Sequence, residues 1–367
     1  MESQENHAEH AIRASLEALR RRHIEPRHDA LDGCDGDGFT LLWHALQETG
    51  LTLAGLHEDD GGITLDPGSA HAALQTLGAA CPALAVALVA HLDAQALLCE
   101  AAGGRWPAAL TASGIAAGDA LVRVGSPLDT APAASTFRLE RRDGQWRLDG
   151  RARVLLPGHA HPLIAAQGTG GLLLCVLPRQ GEGLTFTATP SSHGLCLLPF
   201  GELRAEAVPL DDAQVFDWPL SGHAANNADA LVTALIGGML DELAQRAGDY
   251  ALQRVQAGKP IVAHHAVQQL LGSIELARTP VHTLARATFA QRKPGDGSAA
   301  AFAMPLLRRA ALDAIQVFGG YGYMEDYRVE RYLRDANTLE TFWVHAARRE
   351  RELVSTRCAA RARGEAA

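Results

Sequence analysis

The sequence predicts a mainly α-helical protein with a β-domain in its middle. Three observations predict it: apolar residues at helical spacing over the first third, short β-prone runs split by turn signals over the next hundred residues, and four long helical patterns from about residue 219 onward. Composition agrees. With 367 residues, 47% hydrophobic and 20% charged, the chain is long enough for two or three domains around a sizeable core and unlike a disordered or fibrous chain. Aromatics are only 5%, so Leu, Ala and Val must supply the packing, which suits helix-on-helix contacts.

The elements follow in order. Over residues 9–117 the apolar positions run at helical spacing, as in Ile12, Leu16 and Leu19 and again in Leu84, Leu88 and Leu92, with punctuation at 32–37 and at the Glu-Asp-Asp-Gly-Gly string of 58–62. Residues 121–124, 137–141, 146–148, 172–177 and 184–189 read as strands separated by Asp143-Gly144, Asp149-Gly150 and 181–183, which predicts a small antiparallel β-barrel or sandwich. Beyond Pro219, Leu231, Leu235, Ile236, Met239, Leu240 and Leu243 form the stripe of a first long helix that reaches Arg254. A second, kinked at Pro280, follows the break at 257–260; a third runs over 299–318 and stops at Gly319-Gly320; a fourth runs from 328 or 329 to about 357. The expected domains are 1–118, 119–218 and a four-helix bundle over 219–367.

Charge and motif searches exclude several classes. There are 33 basic and 42 acidic residues, a net charge of −9, and no dense run of Lys or Arg, so nucleic-acid binding is not expected. Residues 1–10 are polar and no stretch reads as long enough to span a bilayer, so the expectation is a soluble cytoplasmic protein with no membrane partner. Six cysteines without a Cys-x-x-Cys pair read as buried thiols. The histidines, His159, His161, His264 and His265 among them, lack a metal-binding framework, and no metal is expected. No Gly-x-Ser-x-Gly elbow is present, and 168–171 reads as a hairpin turn, not a phosphate loop.

Two strings carry more. Gln316-Val-Phe-Gly-Gly-Tyr-Gly-Tyr-Met-Glu-Asp-Tyr-Arg-Val-Glu-Arg-Tyr-Leu-Arg-Asp-Ala336 resembles the C-terminal signature of the acyl-CoA dehydrogenase family, and Asp249-Tyr-Ala-Leu-Gln-Arg-Val-Gln-Ala-Gly-Lys-Pro-Ile261 is similar to the segment that joins its first two C-terminal helices. The resemblance implies a three-domain subunit: an N-terminal helical domain, a β-barrel and a four-helix bundle. It also implies FAD, an acyl-CoA or other acyl thioester as substrate, and electron-transfer flavoprotein as a partner. In that chemistry a carboxylate removes an α-proton while the β-hydrogen leaves as hydride to the flavin. Such enzymes are usually homotetramers in which C-terminal helices complete a neighbour's FAD site. Carried over residue by residue, Arg254 and Gln256 match positions on the FAD pyrophosphate and adenosine portion, where a planar guanidinium suits phosphate oxygens. Gln316, Gly319 and Gly320 match the stretch that meets the cofactor across the interface, and His265 takes the place of a Gln near the flavin. Glu330, Arg331, Arg334 and Asp335 match too, but their i, i+4 spacing reads as ion pairs.

The departures concern the reaction. Where the resemblance places the catalytic Glu stands Trp343, which cannot take a proton; Val344 replaces the following glycine and His345 the flavin-contacting threonine. In other branches the base lies on the first C-terminal helix, which points to Asp229 one position away; an acid in an exposed first helical turn is the other reading of Asp229. Val154 and Leu156 stand where the resemblance implies a shield and a hydrogen-bonding threonine for the flavin, and 124–130 keeps little of the flavin-side loop. Residues 56–62 still resemble the family's Pro-Glu-x-x-Gly-Gly loop. The expectation is an FAD-dependent dehydrogenase of acyl thioesters with an unassigned base. The alternatives are a catalytically impaired subunit that pairs with an intact paralogue in a hetero-oligomer, and a related flavin oxidase or monooxygenase.

Overall fold

In a computed structural model the chain is described over residues 2–27, 36–110, 114–126, 128, 136–157, 160–189, 194–218, 225–290 and 297–362. Residues 32–35, Pro127, Asp129, Thr130, His159 and Pro219, all used above, lie outside the described residues. Helices α1 (Glu2–Leu19), α2 (Gly36–Gln47), α3 (Pro67–Ala80) and α4 (Pro82–Ala101) build the N-terminal third. The start of α3 is written locally: the Asp66 carboxylate accepts the N–H of Ser69 at 3.0 Å, and Pro67 takes the first helical position. By length and composition α4 is apolar enough to cross a membrane, contrary to the expectation that no stretch is. Yet 89% of its apolar window is buried inside the fold, so core packing accounts for a helix that is hydrophobic all round.

Strands β1 (Leu121–Arg123), β2 (Phe137–Arg142), β3 (Gln145–Leu155), β4 (His161–Gly168), β5 (Gly171–Val176), β6 (Leu184–Ala188), β7 (Phe200–Leu210) and β8 (Val215–Asp217) form one sheet, ordered β6-β7-β3-β2-β4-β5-β8 with β1 beside β4. Its pairings are antiparallel except that β1 and β2 each run parallel to β4. The turn at 168–171 is the β4–β5 hairpin, with Gly168 opposite Gly171. Two features go beyond the sequence reading. β3 continues past an irregularity at Leu148/Gly150 to Leu155, and β4, β7 and β8 are additional strands. In β7 the inward positions include the small Gly201 and Ala205, which gives a weak alternation signal.

The C-terminal bundle comprises α5 (Ala225–Gln253), a short hairpin of β9 (Val255–Gln256) and β10 (Lys259–Pro260), α6 (His265–Ala290), α7 (Ser298–Phe318), α8 (Val329–Leu339) and α9 (Ala346–Ala362). Helix α5 is its axis and also holds α3: a Cβ on Gly238 would stand 1.9 Å from the Gln75 carbonyl oxygen, so the two helices approach this closely only at glycine. The fourth helix expected over 328–357 is broken. A five-residue π-turn, Glu340–Val344, and a left-handed His345 (φ 48°, ψ 50°) separate α8 from α9. Neither Pro nor Gly signals the break. Instead the Glu340 carboxylate accepts the N–H of Ala346 at 3.1 Å and caps α9.

Candidate functional site: an open cleft and a closed chamber

The sequence-predicted residues fall into two places. The first is a cleft of about 400 Å³ at the end of α5, lined by Arg254, Gln256, His264, Gln316, Gly319, Gly320 and Tyr321 among others. Local structure brings it about. Helix α5 ends at Gln253, and Ala257 and Gly258 at φ 50° and 79° turn the hairpin back. The Arg254 carbonyl then accepts the N–H of Ile261 at 2.8 Å. Tyr250 stacks on Phe318 at 4.2 Å between ring centroids, which docks the end of α7 beside the end of α5. Gly319 (φ 62°, ψ −136°) has a backbone that L side chains rarely adopt.

Gly320 is different: nothing of this chain lies within 4 Å of a Cβ built on it, so packing does not require glycine there. The open room is on the cleft side, where an absent side chain lets a ligand meet the backbone. The lining holds a guanidinium, two amides and an imidazole and no carboxylate. Such a set receives an anionic ligand with polar edges, as a nucleotide diphosphate has.

Of the two adjacent histidines, the cleft uses His264, whose Nε2 lies 3.3 Å from the Gln256 carbonyl oxygen. His265, the one marked from the sequence, is the exposed first residue of α6 and does not line the cleft. The cue is the short turn Ile261–Ala263, which orients His264 back toward the hairpin and carries no signal in the pair His-His.

The second place is a chamber of only about 40 Å³ between α4, the β1 end, β3 and the π-turn, walled by Val86, Ala90, Val124, Val154, Leu198, Phe342 and Trp343. Trp343 is 5% exposed, and its carbonyl accepts the Ser126 hydroxyl at 2.7 Å. Leu156, the other hydrocarbon replacement, is buried as well. Space of this size holds a few water molecules, and its mouth is partly open to solvent. Arg123 reaches the chamber wall from a buried pair with Asp93, at 3.1 Å. Burial pushes the Asp93 carboxyl up to about 6 against the pull of Arg123, and its Oδ1 has no hydrogen-bond partner among the described residues.

The remaining marked residues have structural work. Asp229 is 2% exposed, not in an open first turn. Its two oxygens accept the N–H groups of Ala299 at 3.2 Å and Ala300 at 2.8 Å, so it caps α7 from across the bundle and is occupied where a base would need to be available. His345 supplies the left-handed link between α8 and α9 and lines neither the cleft nor the chamber. Arg334 holds Glu330 at 2.8 Å, Arg331 lies 3.8 Å from Asp335, and Asp335 accepts the N–H of Leu195 at 2.5 Å, as the i, i+4 spacing predicts for α8. Among the described residues no group of three or more His, Cys, Asp or Glu is arranged to hold a metal.

Comparisons with known proteins bear on the chain and on its fold. Residues 6–127 match the profile of the acyl-CoA dehydrogenase N-terminal domain and residues 218–342 that of the acyl-CoA dehydrogenase C-terminal domain. The chain is 26% identical over 352 residues to the probable acyl-CoA dehydrogenase YngJ of Bacillus subtilis, covering 90% of this chain and 92% of that protein. It is 29% identical over 225 residues to a second Bacillus subtilis acyl-CoA dehydrogenase; that match spans 55% of this chain and 58% of the relative's length. In fold it is similar to butyryl-CoA dehydrogenase from Megasphaera elsdenii, with a TM-score of 0.77 at 21% identity over 96% of this chain and 97% of that one. It is also similar to a chain of the ChsE4-ChsE5 complex from Mycobacterium tuberculosis, with a TM-score of 0.74 at 20% identity over 95% and 96%.

Proposed function

Because the chain belongs to the acyl-CoA dehydrogenase family, we propose that it is the nucleotide-holding, non-catalytic subunit of a hetero-oligomeric acyl-CoA dehydrogenase. One observation carries this reading: the residues suited to a nucleotide share one cleft of about 400 Å³, whereas the pocket beside Trp343, where the resemblance implies the flavin ring and the base, leaves only about 40 Å³. FAD therefore fits this chain by half. Arg254 would hold the pyrophosphate through its planar fork, Gln256, His264 and Gln316 would meet the polar edges of the adenosine portion, and Gly320 would let the backbone approach. The ring would lie in a paralogous partner, which supplies the base and binds the acyl-CoA or other acyl thioester. When bound, FAD accepts the hydride there, and the electrons pass on to an electron-transfer flavoprotein. The setting is the cytoplasm.

The other reading is that this chain itself dehydrogenates an acyl thioester. The match to YngJ over most of both chains favours it, and it needs a base that neither Trp343 nor Asp229 provides. One experiment separates the two: flavin absorbance, and bleaching of the flavin band by acyl-CoA, measured on the chain alone and co-purified with an acyl-CoA dehydrogenase that keeps the catalytic Glu. We expect no acyl-CoA bleaching by the chain alone and bleaching by the pair. Gly320→Leu in this chain alone should strip FAD from the pair, because it adds a side chain at a cleft-lining position where nothing of this chain is in the way. A stable homotetramer with full flavin occupancy that acyl-CoA bleaches would overturn the proposal.

A further inference from the structure

In a chain with only five tyrosines, four of them, Tyr250, Tyr321, Tyr323 and Tyr327, gather at one end of the bundle. Tyr250 and Phe318, stacked at 4.2 Å, meet Tyr327 edge-on at 6.0 and 5.6 Å, and Tyr327 meets Tyr321 at 5.2 Å. Tyr321 is the outer ring of this relay, lines the cleft and is 45% exposed. Burial in the core does not explain an aromatic side chain here. Its ring instead carries the Arg254 guanidinium, 5.7 Å from the ring centroid. Among the described residues Arg254 has no carboxylate partner within ion-pair distance, so this ring is the group that restrains an exposed side chain of many rotamers. Burial raises the Tyr250 hydroxyl above the usual tyrosine range and the Arg254 charge opposes that rise.

We infer that Tyr321 is a positioning residue for Arg254. Its ring, braced by Tyr327, Tyr250 and Phe318, holds the guanidinium over the cleft before a pyrophosphate arrives, so that less side-chain freedom is lost on binding. The inference rests on the reading of the cleft as a nucleotide site. It assigns Tyr321 to Arg254 and not to direct stacking on the adenine.

The test is calorimetric titration of ADP and of FAD into the whole chain and its variants. ADP and FAD should bind the unaltered protein with similar affinity. Tyr321→Phe keeps the ring and should bind ADP like the unaltered protein. Tyr321→Ala should bind it about two- to fivefold more weakly, the range for an exposed cation–π contact. In an Arg254→Ala background, Tyr321→Ala should change nothing further, because the ring then has no charge to hold. Equal ADP affinity for Tyr321→Ala and the unaltered protein would overturn the inference, and so would the same loss in both backgrounds, which marks direct stacking. An unaltered protein that binds neither ADP nor FAD would overturn the cleft reading itself, and the inference with it.

Discussion

Replacing Trp343 with Ala tests whether the indole is the plug that closes the chamber. The side chain is 5% exposed and stands beside a void of about 40 Å³, with helix α4 and the β1 and β3 ends as the opposite walls. A buried Trp→Ala change costs about 3–5 kcal/mol through lost transfer energy and the cavity left behind. The upper half of that range is expected here, because those walls belong to the packed core and cannot collapse onto the gap. The Ser126 bond to the residue 343 carbonyl survives, so the loss reports the indole alone. Urea unfolding followed by far-UV circular dichroism measures it, and the midpoint should fall while the m-value stays constant. Because the cavity left by the side chain has the shape of the lost ring, indole should bind it, and at ten times its Kd should return about 1.4 kcal/mol to the variant and none to the unaltered protein. A loss below about 1 kcal/mol, or no rescue by indole, would refute the idea of a packed plug.

Two further outcomes follow from buried polar groups. Asp229→Ala should cost about 3 kcal/mol, since two N–H groups at the start of α7 lose a charged acceptor, whereas Asp229→Asn, which keeps an acceptor oxygen, should lose less than half as much; equal stability of all three proteins by urea unfolding would return Asp229 to the list of possible bases. His91 bridges α4 to β1 as a neutral ring, with Nε2 2.8 Å from the Thr52 carbonyl and Nδ1 accepting the Leu121 N–H at 3.0 Å. Burial holds its pKa down to about 4. The unfolded chain therefore takes up this proton first, near 6.5, and the group removes up to about 3 kcal/mol of stability as pH falls from 6.5 to 4. Asp93 acts with the opposite sign: its carboxyl is raised to about 6, so the folded state takes up the proton first and gains stability as pH falls from 6 toward 3.8. Asp93→Asn should consequently steepen the acid loss between pH 6 and 4 in unfolding curves taken across that range, and a slope unchanged from the unaltered protein would contradict this assignment.

What the sequence disclosed and what it hid divide by range of interaction. The stop of α7 at Gly319-Gly320, the break after Arg254 and the Glu330–Arg334 pair are set by residues within a few positions of one another, and periodicity and spacing rules read them. Asp229 was ambiguous because its partners, the N–H groups of Ala299 and Ala300, are 70 and 71 positions away. The break between α8 and α9 was invisible because no Pro or Gly marks it; it depends on a Glu340 cap and on packing around Trp343 and Val344. His264 and His265 cannot be told apart until the preceding turn sets their directions. The chamber is the extreme case: the sequence reveals each lost polar contact at 154, 156 and 343, but only the assembled walls show that hydrocarbon has filled the space and not merely lined it.

The cleft and the chamber can part company because they share almost no structure. Arg254, Gln256, His264, Gln316 and Gly320 hang on the ends of α5 and α7 and on one hairpin, braced by Tyr250 against Phe318. The chamber is built from α4, the β-domain and the π-turn, and only Phe342 and Trp343 in its wall come from the bundle. Trp343 lines the chamber and not the cleft, and the two places have no lining residue in common. Selection for nucleotide holding would therefore keep the bundle ends intact while Val154 and Trp343 arose in the chamber wall and Leu156 in the core beside it, each adding apolar burial. In a subunit that performed the whole reaction, the same three changes would remove the base and two flavin contacts together, and the pocket they fill would have to stay open. The proposed role accounts for both places: Val154 and Trp343 narrow the chamber with apolar side chains, while the cleft keeps its own polar lining.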